Sequence, residues 1–133
     1  MMGNITKSAT IFLMLSAANA ESFQSGTTGN TALIHCESED YSAPASFCLG
    51  FIMGFLEGKS HIESYLIWSE GYQEEIAKEL YEHYLGYCPE GKSFGQIRDV
   101  YVKYLRDNPA NRHQDAKFLL WESLMDAFPW PCR

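Results

Sequence analysis

Four cysteines in a chain of 133 residues, Cys36, Cys48, Cys88 and Cys132, constrain this polypeptide more than any other feature. They form no C-x-x-C pair, and His35, His61, His83 and His113 show no H-x3-H spacing, so the usual zinc pattern is missing. An even cysteine count in a short chain reads instead as two disulfides, provided the chain leaves the reducing cytoplasm. The N-terminus supplies the means. Lys7 is the only charge among residues 1–20, Ile11–Ala18 is apolar, and Ala18-Asn19-Ala20 is a small-x-small cleavage site. That is the pattern of a cleaved secretory signal peptide, and its apolar part is too short to span a bilayer. The expected mature chain is residues 21–133, a single domain with no membrane association after cleavage. Three disulfide pairings are open to it.

The mature chain carries nine basic against seventeen acidic side chains. Such a surface is repelled by nucleic acid and by anionic lipid, and it attracts a basic partner.

Helical signals dominate, and no useful period-2 segment is present. Residues 21–29 read as a loose arm. Asn30 or Thr31 can cap a short helix through Cys36. Pro44 opens a second helix whose Phe47–Leu56 stretch is apolar on nearly every side, as a buried helix should be. Gly50, Gly54 and Gly58 recur every four residues along it. Each costs about 1 kcal/mol against Ala, so the row implies close approach of another backbone. Packing inside the chain is the expected use and a second copy of the chain the alternative. Ser60-His-Ile-Glu63 matches a capping box for a separate short helix to Trp68. A turn at Trp68–Tyr72, a helix over Gln73–Leu85, a capping box at Ser93–Gln96 leading to Asp107, and a last helix capped near Asn111–Gln114 complete the chain. The fold class is all-α: a compact bundle of five or six short helices braced by two disulfides.

No enzyme signature appears. There is no G-x-S-x-G elbow, no H-E-x-x-H and no phosphate-cradling glycine loop. A Cys–His nucleophile would need a free thiol, which the disulfide framework removes. The chain is therefore read as a non-enzymatic binding protein that needs no cofactor and no metal. Aromatic residues in turns, Trp68, Tyr72, Tyr87 and Trp130, are candidate interface anchors.

Five blocks in order carry a family resemblance: Thr28–Cys36, Phe47–Gly54, Cys88–Gly91 leading to Gln96, Val102–Leu105, and Ala127–Pro129 before Cys132. Together they resemble the Rap/Tai-type immunity proteins. The resemblance implies an α-helical, disulfide-bonded periplasmic protein, often a homodimer. Such a protein binds a peptidoglycan amidase toxin delivered by type VI secretion and obstructs its cleft with a projecting loop. The chain departs from the family at Asn108-Pro109, where His-Pro is usual. It departs again at Phe128-Pro-Trp-Pro-Cys132, where Phe-Pro-Cys is usual, and across Lys59–Tyr87. On this footing Trp68, Glu70, Gly71 and Tyr72 are the expected partner-entering loop, with Glu90 and Lys92 as second candidates. The preferred pairing is Cys48–Cys88 with Cys36–Cys132. A general periplasmic binding or chaperone-like stress protein is the alternative reading, and a small hydrolase a third.

Overall fold

The computed structural model describes residues 26–68, 79–80, 83 and 85–132. The expected leader 1–20, the loop residues Glu70, Gly71 and Tyr72, and most of the expected helix Gln73–Leu85 lie outside them.

Helix α1 spans Gly29–Cys36 and is capped by Thr28, whose extended backbone lets its hydroxyl accept the Thr31 N–H at 3.4 Å. The cap falls two or three residues before the expected one because the chain here is pinned from outside the helix. Ala116 N–H donates to Thr27 O, Gly29 N–H to Gln114 O and Asn30 N–H to Arg112 O. Gly29 is required at this junction: a Cβ there would lie 2.4 Å from Leu119 Cδ1 and 3.1 Å from the Arg112 backbone.

A turn through Tyr41, whose φ is 67°, returns the chain to α2, Ala43–Trp68. Ser42 accepts the Ala45 N–H at 3.2 Å and so caps it. The separate helix expected from Ser60 does not exist, because α2 runs unbroken for 26 residues. The Ser60-x-x-Glu63 spacing is used differently inside a helix. Glu63 pairs with Lys59 one turn earlier, and Ser64 Oγ donates back to Ser60 O. Gly58, at about 1 kcal/mol, is too weak a breaker to stop a helix already formed.

Helix α3, Phe94–Asp107, starts as the sequence indicates, with a reciprocal Ser93/Gln96 capping box. A 3-10 turn at Pro109–Asn111 leads to α4, Ala116–Ala127, capped by Asp115 and not within Asn111–Gln114. The described residues thus hold four α-helices where five or six were expected, and no strand. None of these helices is long and apolar enough to cross a membrane.

The core joins all four helices. Ile52 of α2, Tyr101 and Leu105 of α3, and Leu119, Leu120 and Leu124 of α4 are fully buried, with Ala32 and Leu33 of α1 beside them. Tyr101 satisfies its buried hydroxyl by donating to Ala116 O at 2.8 Å.

The disulfides are Cys36–Cys48 and Cys88–Cys132, which corrects the preferred pairing. The turn after α1 brings Cys36 and Cys48 to a Cα separation of 5.1 Å inside the core. The second pair, 5.4 Å apart, closes a two-stranded contact in which Tyr87 pairs antiparallel with Pro129. On the chain-entropy model, loops of 12 and 44 residues stabilise by about 3 and 4 kcal/mol.

Candidate partner-binding surface

Two exposed regions hold the sequence-predicted site residues that the structure describes. The first is the outer face of α2. A Cβ added at Gly50, Gly54 or Gly58 would meet nothing within 4 Å, so among the described residues the row opens outward and touches no other helix. Phe47, Leu49, Met53, Ile62 and Tyr65 are exposed along the same helix. Trp68, at its C-terminal end, is 89% exposed. A 26-residue helix extends about 39 Å, so it carries Trp68 well away from the Cys36–Cys48 end. An apolar, aromatic surface of this length is unusual for a helix that faces only water.

The second region is a groove of about 570 Å³ beside the Cys88–Cys132 disulfide. Glu90, Lys92, Phe128, Pro129, Trp130 and Pro131 line it. The tail is held there by backbone: Cys88 N–H donates to Phe128 O at 2.8 Å and Trp130 N–H to Gly86 O at 2.7 Å. The Lys92 ammonium lies 5.6 Å from the Phe128 ring centroid. The structure thus places both second-choice residues, Glu90 and Lys92, in one concave site with Trp130. Trp68 belongs to the other region.

Lys59 links the two regions, and sequence reasoning missed it. It is only 7% exposed, paired with Glu63, 3.9 Å from Glu90 and 5.3 Å from the Tyr87 ring centroid. Burial, together with the charges of Glu63 and Glu90, pushes the Tyr87 hydroxyl pKa up. The available signal is the i,i+4 spacing of Lys59 and Glu63, which a helix start at Ser60 hides.

A third concavity, about 610 Å³ between α3 and α4, is lined by Tyr104, Asp107, Glu122 and Asp126. Tyr104 Oη donates to Glu122 Oε2 at 2.8 Å. Burial, that bond and the carboxylate charges push its pKa up to about 12. Its carboxylates face water and a lysine, Lys103, that is paired with Asp107, as on an ordinary charged helix surface.

Neither region offers a free thiol. All four cysteines are bonded, so the hydrolase reading loses its thiol. Cys88, Glu90 and Cys132 bring their ligand-type atoms within 4.8 Å of one another, but both sulfurs are spent on the disulfide and offer no thiolate to a metal.

Residues 28–132 match a family model described as Rap1a immunity proteins. The match starts at the cap of α1 and ends at the last cysteine. No curated protein and no solved structure gives a significant match.

Proposed function

The chain belongs to the Rap1a immunity proteins, and from that premise we propose that it is a periplasmic inhibitor, exported by a cleaved leader, that binds and blocks a peptidoglycan amidase toxin of a type VI secretion system. The family match across residues 28–132 carries this reading. The physical features agree with it. The scaffold is braced by two disulfides, suiting it to an oxidising compartment. Its acidic surface would steer it toward a basic toxin and raise the encounter rate. Trp68, exposed at the end of α2, and the following residues Glu70, Gly71 and Tyr72 form the segment that enters the toxin cleft. The groove with Glu90, Lys92 and Trp130 is the second contact. The protein performs no catalysis and binds no cofactor.

The same reading assigns the open glycine row of α2 to a second copy of the chain. A two-fold crossing at Gly54 would let the backbones approach closely.

The test is co-expression with an exported amidase encoded beside this gene, both directed to the periplasm. Protection from lysis, and a one-to-one toxin complex by light scattering, are expected. Continued lysis with both proteins soluble would remove the amidase reading. Suppression of aggregation of unrelated clients, without saturable binding to one enzyme, would favour the chaperone-like alternative.

A further inference from the structure

The two disulfides sit in opposite environments. Cys36 and Cys48 are 5% and 2% exposed, packed with Ile52 and Leu33 in the core. Cys132 is exposed and Cys88 half-buried, and both line the open groove. A thiolate can attack only a sulfur it can reach, so access separates the two bonds. The fold also depends on them differently. Cys36–Cys48 joins α1 to α2 within the core. Cys88–Cys132 joins a loop to a five-residue tail that two backbone hydrogen bonds already hold.

A charged group stands over the exposed bond. A Glu90 carboxylate oxygen lies within 4.8 Å of both sulfurs, and Lys59 Nζ is 3.9 Å from Glu90 Oε1. Glu90 is largely solvated, so its charge is offset by Lys59 only in part. An incoming thiolate is an anion and meets this carboxylate at the point of attack.

We propose that Cys88–Cys132 is a thiol-exchange site that takes dithiol reductants, with Glu90 as the residue that slows its reduction, while Cys36–Cys48 stays closed. A reductant thiolate attacks the exposed Cys132 sulfur. The Cys88 sulfur leaves with the bonding electron pair and takes up a proton. The second thiol of the reductant then attacks the mixed disulfide and releases Cys132 as a thiol. The cystine has gained two electrons and two protons, and the dithiol has become a cyclic disulfide. The helices keep their packing, and the Phe128–Cys132 tail is left on its two backbone hydrogen bonds. A consequent loss of partner binding at the groove rests on the proposed function; the exchange itself does not.

The experiment treats the folded protein with dithiothreitol without denaturant, quenches with an alkylating agent at intervals, and maps the labelled cysteines by mass spectrometry while helicity is followed by circular dichroism. Cys88 and Cys132 should label at least about tenfold faster than Cys36 and Cys48, with helicity unchanged through the first step. Glu90→Gln should speed that first step about fourfold at low salt, the effect of one charge at roughly 5 Å in a water-like dielectric, and high salt should erase the difference. Equal labelling of all four cysteines, or loss of helicity in step with the first reduction, would overturn the site. An unchanged rate in Glu90→Gln would overturn the role of the carboxylate.

Discussion

Replacing Gly50, Gly54 and Gly58 together by alanine separates the two uses a glycine row can have. In a helix interior each Gly→Ala change stabilises by up to about 1 kcal/mol, because the unfolded chain loses freedom and no contact is lost. At all three positions a Cβ meets nothing within 4 Å among the described residues, so none of them opposes that gain with a steric cost. The three sites lie on one helix but do not touch each other, so their effects should add, to about 2–3 kcal/mol in total. For a domain of this size that corresponds to a rise in Tm of about 10 °C or more. The dimer should respond in the opposite direction, since three methyl groups would hold apart two backbones that meet along the row. Thermal unfolding by circular dichroism at low protein concentration reads the first effect. Sedimentation across a concentration series reads the second. A fall in Tm at concentrations where the unsubstituted protein is monomeric would refute the reasoning, because it would mean that the row packs against another part of the same chain. A rise in Tm with the monomer–dimer equilibrium unmoved would refute the assignment of the row to a second copy.

Tyr101→Phe removes the hydroxyl that donates to Ala116 O inside the core; it should cost about 1 kcal/mol in urea unfolding, the net worth of one hydrogen bond, since the carbonyl keeps its helical partner. Trp68→Ala should leave stability within about 0.5 kcal/mol, the side chain being 89% exposed, yet weaken toxin binding by more than about tenfold in calorimetry. The alkaline limb of stability has a defined sign. The Tyr104 hydroxyl is raised from 10.0 to about 12 in the folded state, and Tyr87 and Tyr101 are raised as well. A raised tyrosine favours the neutral folded form, so its contribution is complete below pH 10 and is lost as pH climbs through 12. Unfolding midpoints should therefore fall over that interval, and Tyr104→Phe should flatten part of the slope.

Where a local signal had a single physical outcome, the sequence was sufficient. Ser93 and Gln96 could only cap a helix, since a strand-like loop and an apolar face lie on either side, and the capping box formed as expected. The same type of signal at Ser60 and Glu63 misled, because nothing before it ended the helix already running from Ala43. A capping box marks a start only when the preceding residues cannot be helical; otherwise its serine carbonyl accepts from the Ser64 hydroxyl one turn later and its glutamate pairs with Lys59. The disulfide pairing failed for a related reason. Spacing along the chain left three choices, and the decision lay in the turn at Tyr41, which folds α2 back beside α1 and makes the shortest loop the closed one. Partner surfaces were legible as residue types, aromatics and charges in turns, but not as places. Bringing Glu90, Lys92 and Trp130 to one groove requires the C-terminal tail to return alongside Tyr87, a contact spanning some forty residues that no local pattern encodes. Lys59 is likewise covered from across the chain, by Tyr87 and Glu90. Breaking that cover while keeping α2 intact is therefore the sharper probe of the groove. Tyr87→Ala should expose Lys59 and loosen the tail together, whereas Glu63→Gln should disturb the ammonium and leave the tail in place, a difference that hydrogen exchange at the Trp130 amide can read.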